Sequence, residues 1–566
     1  MSIKPWTDLR LVSLLFFVTS CVSQTTEPNQ ESPGAPAGTS GRPASGSAGA
    51  GAAGMIGNVA GASGGSAGSG SAGGVPGANG VAGANTGGLP GGAGQNAVAG
   101  APPEGGAGAA GASGSTNMVD DGTIINDRFW LDTSGAPIYS QGGGVLQVGD
   151  TYYWYGVKYG GAVTYAAKPD GKNSDTSFQG VTSYSSKDLA HWKLEATDKL
   201  ANAGGWFGRL GVVYHSQTKK YVLAAQGGGG LYFATSDKPN GGFVYNNVQS
   251  NLPGIVNGGT GDQTLFQDDD GQAYVVSSSS SGRANRYLSP LRASDFLAAE
   301  NALPVYSGGG REGNCMFKYA STYYFCSSDL HGWNTSQTYC VSAKSVKGPW
   351  SAEFVLEGTQ ADFSHVTQTG FFVAVKGSKQ TTIIFAGDRW SDFAGNGLGF
   401  NQWMPLEFQG EKMRFRSLSA WTINASEGTW RVAPQNNWAL NPSFEADRVS
   451  VTTPTGWRAS GGSNSSGGRT GRWSWALTGS GSLSQILTEV PNGKYILSVW
   501  AKNGGPGAML YAKPAGGTMQ SQAIPAGSSW TQVKLAGVAV TGGQIEIGMT
   551  GGSQTVNLDD WALVAE

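Results

Sequence analysis

Five polar or charged residues stand at similar positions, each before one copy of a repeated segment. Two of them carry the carboxyl groups that acid–base chemistry needs. Asp262 and Glu312 each stand twelve residues before a tyrosine, as do Gln141 and Arg209, and Gln368 lies at the related place before a fifth such segment. A carboxylate close to a second carboxyl group raises the pKa of that group, which keeps it protonated and able to act as a general acid. The usual target of such a pair is a glycosidic bond.

The segments that follow these residues form a repeat. They are apolar, rich in tyrosine and spaced at intervals of 50 to 68 residues, measured between Tyr153, Tyr221, Tyr274, Tyr324 and Ile384. A repeat of this length, built of short strands and tight turns, is typical of a β-propeller. We therefore predict an all-β fold in which residues 124–432 form a five-bladed β-propeller. Because the first strand of each blade lines the channel, the five candidate residues are expected to converge.

Each carboxylate also has a structural explanation when it is taken alone. Asp262 could end a loop, and Glu312 could pair with Arg311 or Arg209. Their shared position in the repeat favours the catalytic interpretation. The acidic run at 268–271 is typical of a hairpin turn and is assigned no catalytic role.

Several motifs occur in the order found in a known enzyme family. They are GGGVL at 142–146, DQTLFQDDDG at 262–271, EGNCMFK at 312–318, GWN at 332–334, KGPW at 347–350 and GDRW at 387–390. This set resembles glycoside hydrolase family 43, and within it most closely the exo-β-1,3-galactanase branch, over nearly all of residues 124–432. The resemblance implies a five-bladed propeller that inverts the anomeric centre and uses no cofactor for catalysis.

The resemblance also implies roles for individual residues. Glu312 stands where the branch has its general acid, and Gln368 stands where other family members carry an aspartate base. Asp262 resembles the carboxylate that tunes the acid and holds the sugar. A neutral amide is a poor base, so Gln368 is expected to position the attacking water, and the route by which the water proton leaves stays open.

Further residues near the expected channel mouth are candidates for contact with sugar, since aromatic rings stack on the apolar faces of pyranoses. The predicted substrate-binding residues are Gln141, Arg209, Trp333, Asn334, Asp388, Arg389, Trp390 and Trp403. Trp206 is a further aromatic candidate, and a structural ion pair is the alternative for Arg389.

The sequence departs from the branch in its second blade, where GRLG at 208–211 replaces a Glu-Arg-Pro segment. Three functions therefore stay open. The first is an inverting, exo-acting hydrolase of β-1,3-galactan or arabinogalactan. The second is a family 43 arabinofuranosidase or xylosidase, and the third is a surface glycan-binding protein with little or no activity.

The N-terminal part of the chain reads as a targeting segment and a linker. Lys4 and Arg10 precede an apolar run that ends before Cys21, which predicts a lipoprotein signal over 1–21 with Cys21 lipidated. An ordinary secretory signal is the alternative. Residues 22–117 hold no aromatic residue and are rich in Gly, Ala and Ser, so they are expected to be a disordered linker. We expect an exported protein, anchored by lipid at the outer membrane or cell surface.

Composition narrows the class of partner. The net charge is -2 and 13% of the 566 residues are charged, which excludes an electrostatically driven nucleic-acid binder. A neutral polysaccharide or oligosaccharide is the expected partner of a monomeric protein that also contacts a membrane through its lipid anchor.

The C-terminal region, 436–566, predicts a β-sandwich of short strands separated by glycine-rich turns. Motifs such as NPSFE at 441–445 and DDW at 559–561 resemble carbohydrate-binding modules of the jelly-roll, galactose-binding-like type. The resemblance implies a structural calcium held by Glu445 with Asp559 or Asp560. Trp473 and Trp475 are the predicted glycan-binding aromatics, and a sandwich that only acts as a spacer is the alternative.

Three cysteines remain besides Cys21. The hairpin expected around residue 320 places Cys315 opposite Cys326. An exported protein could oxidise that pair or could instead join Cys326 to Cys340, so one thiol must be left over.

Overall fold

The computed structural model describes residues 122–167, 175–201, 203, 206–332, 334–389 and 400–566. The predicted signal peptide, Cys21, the linker 22–117, Trp333 and Trp390 lie outside the described residues. Within them the protein is all-β. Helical segments of the described chain are short: α1 (Gly160–Ala167), α2 (Phe363–Val366) and single 3₁₀ turns at Val256–Gly258 and Thr359–Ala361. None of these helices is long and apolar enough to cross a membrane.

After a short first strand, β1 (Thr123–Ile125), five four-stranded antiparallel sheets follow one another. Each sheet consists of consecutive strands, so every connection within it is a hairpin. Their strands are β2 (Gln141–Val148), β3 (Thr151–Tyr159), β4 (Phe178–Ser186), β5 (Lys193–Asp198); β6 (Phe207–His215), β7 (Lys220–Gly227), β8 (Gly230–Ser236), β9 (Val244–Gln249); β10 (Thr260–Gln267), β11 (Ala273–Ser279), β12 (Asn285–Pro290), β13 (Leu303–Ser307); β14 (Arg311–Tyr319), β15 (Thr322–Asp329), β16 (Thr338–Ala343), β17 (Phe354–Val355); and β18 (Gln368–Lys376), β19 (Thr381–Arg389), β20 (Phe400–Gln409), β21 (Lys412–Phe415).

The first strands of the five sheets form a closed ring. Strand β2 contacts β6, β6 contacts β10, β10 contacts β14, β14 contacts β18, and β18 returns to β2. The second strands lie between two neighbouring strands of each sheet and are mostly buried; every residue of β11, for example, is buried. The hairpin expected from the repeat is observed, since Tyr153, Tyr221 and Tyr324 pair with Leu146, Tyr214 and Phe317 on the first strands.

A β-bulge interrupts all five first strands near their beginnings. In four of them the bulge holds a residue in the left-handed region, at Gly142 (φ 55°), Arg209 (φ 47°), Asp262 (φ 40°) and Gly313 (φ 61°). For Arg209 and Asp262, which carry a Cβ, this conformation is strained. Bulges re-aim side chains. The five candidate residues therefore do not share one simple register: Asp262 occupies the bulge itself, whereas Glu312 comes immediately before one.

A cluster of tryptophans fills the space between the first and fifth sheets. The Trp403 ring centroid lies 5.2 Å from that of Trp130, 4.9 Å from that of Trp154 and 5.7 Å from that of Trp192. Trp403 is fully buried. The prediction that Trp403 stacks on sugar is therefore wrong, because its side chain is enclosed by aromatic neighbours in the core.

Strand β1 pairs with β22 (Ala420–Asn424), which also pairs with β23 (Thr429–Val432), in a separate three-stranded sheet. Asn126, directly after β1, donates hydrogen bonds to the carbonyl oxygens of Trp403 (2.9 Å) and Leu418 (2.7 Å). This joins the beginning of the described chain to the end of the five-sheet region.

The C-terminal region contains two five-stranded sheets whose inner faces share one hydrophobic core. The sheets consist of β24 (Arg458–Ser460), β27 (Ser482–Thr488), β32 (Gln544–Thr550), β29 (Met509–Pro514) and β30 (Gln520–Ala523), and of β25 (Ser463–Ser466), β26 (Trp473–Leu477), β33 (Val556–Ala565), β28 (Gly493–Asn503) and β31 (Gly527–Val540). Trp473 (5% exposed) and Trp475 (0%) belong to that core. The prediction that they bind glycan is wrong, because both are packed between the sheets.

The disulfide joins Cys326 of β15 to Cys340 of β16, and Cys315 is a buried free thiol. The expected hairpin does place Cys315 opposite Cys326. Cys340 lies opposite Cys326 on the other side of the same strand, and that neighbour forms the bond.

Candidate active site

Glu312 lies at the inner end of β14 and is 4% exposed. Its Oε1 accepts a hydrogen bond of 2.8 Å from Nε2 of Gln368, and its Oε2 lies 3.7 Å from Nη1 of Arg283. Burial and the charge of Asp262 raise the pKa of Glu312 to about 8, against the opposing effects of Arg283, Arg209 and the Gln368 amide. At neutral pH the carboxyl group is therefore protonated and can donate a proton.

Asp262, in contrast, is held as a carboxylate. Burial alone would raise its pKa, but Arg283 and Arg209 lower it below the ordinary value. Nη1 of Arg283 lies 2.9 Å from Oδ1, and the backbone N–H of Gly313 donates to Oδ2 at 3.1 Å. The bulge on β14 thus supplies a backbone donor to the bulge residue of β10. Asn314 fixes the same strand end by donating to the Asp262 carbonyl oxygen at 2.8 Å.

Gln368 begins β18 and is 2% exposed. Its Nε2 donates to Glu312 and also to the carbonyl oxygen of Gly332 at 3.1 Å, while its Oε1 accepts from Nη2 of Arg209. Both amide hydrogens are therefore engaged. Since a guanidinium can only donate, Arg209 fixes which end of the amide faces Glu312.

Arg209 is the centre of a second buried ion pair. Its Nη1 lies 3.3 Å from Oδ2 of Asp388 and donates to the Thr369 carbonyl oxygen at 3.1 Å, and its Nε lies 3.9 Å from Asp262. Asp388, on β19 directly opposite Gln368, accepts from the Gly142 N–H at 3.2 Å. Burial raises the pKa of Asp388 to about 6, although Arg209 and the Gly142 N–H oppose the rise.

The charges of these groups balance when one carboxyl group is protonated. Two guanidinium groups, those of Arg209 and Arg283, face three carboxyl groups, those of Asp262, Asp388 and Glu312. A third buried carboxylate would have no cation of its own, and burying an unpaired charge is costly. Glu312 has the highest pKa of the three, so the shared proton resides there at neutral pH.

The residues just before Gln368 form a left-handed helical turn, α2. Phe363, Ser364, His365 and Val366 have φ between 52° and 58°, and Ser364 and His365 have ψ of 47° and 46°. These angles are those of an ideal left-handed helix, which costs L-residues roughly 1–2 kcal/mol each. None of the four is glycine or asparagine. The turn is closed by bonds from Val366 N to Asp362 O (2.9 Å) and from Thr367 N to Phe363 O (3.0 Å).

A cluster of charged and polar groups supports this turn. His365 Nε2 lies 3.1 Å from Oδ2 of Asp127, and its Nδ1 lies 2.8 Å from the Ser417 hydroxyl, which in turn donates to Asp362. Burial would lower the pKa of His365, but Asp127 and Asp362 raise it to about 9. The imidazole is therefore charged at neutral pH.

Several predicted residues have positions that the structure defines. Gln141 is buried at the start of β2, next to Gly142. Nη1 of Arg389 lies 2.6 Å from Oδ1 of Asp127, which is the ion pair expected as the alternative to sugar binding. Asn334 donates to the His331 carbonyl oxygen at 3.0 Å, in the loop that also holds Gly332.

The predicted calcium ligands lie in one part of the C-terminal region, where burial and the neighbouring Asp560 and Glu445 raise the pKa of Asp559. Their oxygens accept hydrogen bonds from the loop 469–473: Glu445 from the N–H groups of Arg472 and Trp473, and Asp559 from that of Arg469. Among the described residues there is no group of three or more His, Cys, Asp or Glu side chains arranged to hold a metal. These hydrogen bonds hold the loop 469–473 against the carboxylates, and a calcium ion at this place stays a prediction.

Two parts of the site were not found from the sequence. Arg283 lies in the connection after β11, outside the repeat that located the other residues. Its contact with Asp262 depends on the fold, so no local sequence pattern identified it. The left-handed turn has no glycine or asparagine to signal it.

Comparison with known proteins agrees with this architecture. Residues 144–353 match Glycosyl hydrolases family 43. That segment contains Arg209, Asp262 and Glu312, whereas Gln368 and Asp388 follow it. No curated protein sequence matches the chain.

Solved structures show a similar fold. An exo-β-1,3-galactanase from Phanerochaete chrysosporium with bound galactose is 22% identical, with a TM-score of 0.50, and the match covers 78% of this chain and 100% of that one. A variant of that enzyme with β-1,3-galactotriose gives the same values. An exo-β-1,3-galactanase from Clostridium thermocellum is also 22% identical, with 79% and 100% coverage and a TM-score of 0.49.

Residues 144–353 are thus similar to a family of glycosidases, glycoside hydrolase family 43.

Proposed function

We propose that the protein is an inverting, exo-acting glycoside hydrolase of β-1,3-galactan or arabinogalactan. The observation that carries the proposal is the buried pair of Glu312 and Asp262, which share Arg283 as a neighbour, with Gln368 in contact with Glu312. Glu312 protonates the leaving oxygen, Asp262 keeps the acid protonated through its charge, and Gln368 orients the water that attacks the anomeric carbon. The solved galactanases named above support the choice of galactan.

The direct contact between Glu312 and Gln368 has a consequence for this mechanism. In inverting enzymes the two groups flank the sugar and its attacking water, about 6.5–9.5 Å apart. A bond of 2.8 Å leaves no space for either. The substrate must therefore separate the two side chains as it binds.

Hydrolysis of defined oligosaccharides tests the proposal. The purified protein should release galactose from β-1,3-galactooligosaccharides, and NMR of the first product should show the α-anomer, since inversion converts a β-linkage to α. Glu312→Gln should lower kcat/KM by at least about 10³-fold, while Glu300→Gln, at an exposed carboxylate, should not change it. Release of arabinose or xylose from arabinan or arabinoxylan oligomers would instead favour an arabinofuranosidase or xylosidase.

A glycan-binding protein without turnover is the second candidate. It is favoured by one observation, that Gln368 supplies an amide rather than a carboxylate opposite Glu312. Binding of galactooligosaccharides in calorimetry without release of any sugar would support this candidate over the enzyme.

We also propose the arrangement of the remaining chain. The closed ring of first strands supports a five-bladed β-propeller within 124–432, and the shared core of the two C-terminal sheets supports a β-sandwich carbohydrate-binding module within 436–566. The segments 1–21 and 22–117 are proposed as a lipoprotein signal and a linker, with the outer membrane or cell surface as the location. Labelled palmitate should be incorporated by the parent protein and not by Cys21→Ser.

A further inference from the structure

The left-handed turn α2 lies between the charged groups around the buried His365 and the candidate active site. Its last residue, Val366, is followed by Thr367 and then by Gln368. The orientation of the Gln368 backbone is therefore set by the end of the turn. A change in the turn reaches the amide with only one residue between them.

The turn is connected to the site on its other side as well. Ser364 Oγ donates to the Ser336 carbonyl oxygen at 2.8 Å, and Ser336 N donates to the Thr367 carbonyl oxygen at 3.0 Å. Ser336 belongs to the loop that contains Gly332, whose carbonyl oxygen accepts from Gln368. The turn therefore fixes both Gln368 and the backbone acceptor that holds one of its amide hydrogens.

His365 joins this turn to distant parts of the chain. Asp127, its partner, comes from the segment after β1 and also accepts from Nη1 of Arg389 (2.6 Å) and Nε2 of Gln402 (2.9 Å). Ser417, on its other side, follows β21 and donates to Asp362. A left-handed conformation in four residues without glycine persists only where the surroundings hold it. His365 provides contacts from both sides of the imidazole ring.

We propose that His365 is a positioning residue for Gln368: held between Asp127 and Ser417, it maintains the left-handed turn that sets the Gln368 amide against Glu312. The proposal rests on the roles proposed above for Glu312 and Gln368, and it adds a residue that touches neither substrate nor reacting atoms. His365 acts through geometry, and its protonated form supplies the two hydrogen-bond donors that the geometry uses.

Crystal structures of variants of the full chain test the geometry without any need for activity. His365→Asn keeps a residue that tolerates positive φ but removes the imidazole contacts. We expect the Gln368 Nε2 to Glu312 Oε1 distance to exceed 3.5 Å in this variant. An unchanged 2.8 Å contact would overturn the proposal, and the result does not depend on whether the protein hydrolyses a glycan.

If His365→Asn does not fold, Ser417→Ala provides a milder change, because it removes only one hydrogen-bond partner of the imidazole. The same displacement of Gln368, at smaller amplitude, is expected. A Gln368 amide that stays within 0.3 Å of its parent position in folded Ser417→Ala would count against the proposal.

A double-mutant cycle separates positioning from general stabilisation. His365→Asn should lower kcat on β-1,3-galactooligosaccharides about 10- to 100-fold, with KM changed less than twofold. In the Gln368→Ala background the same substitution should change kcat by less than about twofold, because His365 acts through the Gln368 amide and that amide is absent. Full additivity would contradict the proposal. His215→Asn, at a buried histidine bonded to Thr218 and the Ala293 carbonyl oxygen, is the control and should leave kcat unchanged.

The pH profile gives a second readout. The Gln368 amide donates to Glu312 and so lowers the pKa of its carboxyl group. When Gln368 is displaced, the alkaline limb of kcat/KM should move to higher pH in His365→Asn and in Gln368→Ala alike, and no further in the double variant. A limb that stays in place in His365→Asn while it moves in Gln368→Ala would show that His365 does not act through Gln368.

Discussion

The Gln368 amide donates a 2.8 Å hydrogen bond to the carboxyl group of Glu312, so the proposed water-positioning group and the proposed acid are in contact before any sugar binds. In the free protein Glu312 therefore accepts a hydrogen bond, and it must lose this bond when a sugar enters between the two side chains. Binding and the acidity of Glu312 are linked through this bond.

This linkage predicts a difference between two pH profiles. The kcat/KM profile reports the free enzyme and should fall as pH rises through about 8, where Glu312 loses its proton. The kcat profile reports the complex, in which Glu312 has lost the Gln368 donor, so its alkaline limb should lie at higher pH. Coincident limbs, measured on β-1,3-galactooligosaccharides from pH 5 to 10, would show that Gln368 keeps its contact with Glu312 in the complex.

The ion pair of Arg209 and Asp388 predicts a strongly destabilising single substitution. Arg209→Met leaves Asp388 buried without its cation and should lower the free energy of unfolding by about 3–5 kcal/mol. Arg209→Met with Asp388→Leu should recover part of this loss but not the activity, because the Gln368 amide stays without its guanidinium donor. Urea denaturation and hydrolysis assays measure the two effects.

A matched control for that experiment is Arg292→Gln, at a half-exposed arginine paired with Asp295. Exposed pairs contribute little, so a loss below about 1 kcal/mol is expected. Equal losses for the two arginine substitutions would argue against a special role for the buried pair.

His365 predicts a pH-dependent stability. Its folded-state pKa of about 9 lies above the ordinary 6.5, so its contribution is complete below about pH 6.5 and is lost as pH rises through 9. The parent should exceed His365→Asn by roughly 2 kcal/mol at pH 6, a value reduced because Asp127 is partly exposed to solvent. Chemical denaturation of both proteins from pH 6 to 10 measures the difference, which should shrink from about pH 6.5 upward and be lost above about pH 9.

The disulfide predicts a loss of stability on reduction. Cys326 and Cys340 are 14 residues apart, and a closed loop of this length contributes about 3 kcal/mol through the unfolded chain. The double serine variant should unfold more easily by about this amount. Cys315→Ala should respond to a reducing agent just as the parent does, since Cys315 forms no disulfide. A parent protein that is indifferent to reduction would show that the bond does not form in solution.

The sequence repeat located the candidate site because its signal lies on the hairpins. The tyrosines that mark the repeat pair with the first strands, and those strands form a ring, so Asp262, Glu312 and Gln368 converge as expected. The bulges were not foreseen. Each bulge adds a residue to a first strand at the place where the side chains meet. Counting a constant number of residues from the tyrosines does not account for that addition.

Aromatic residues were the least predictable from sequence. Trp403, Trp473 and Trp475 were expected to contact sugar, but they lie in the cores. A tryptophan in a two-sheet or ring-shaped fold has buried and exposed environments available on the same strand, and the side it faces depends on register. Arg283 and the turn at 363–366 depend on contacts between distant segments, for which the sequence carries no local pattern.

The bond from the Gly142 N–H to Asp388 joins residues 246 positions apart, at the seam where the fifth sheet meets the first. A ribosome that has completed four sheets has made Glu312 and Asp262 but neither Gln368 nor Asp388. A chain of four sheets therefore lacks part of the candidate site, which is completed only when the seam closes. Contacts of such large sequence separation form slowly during folding, so we expect the proposed glycan cleavage to be among the last properties to appear.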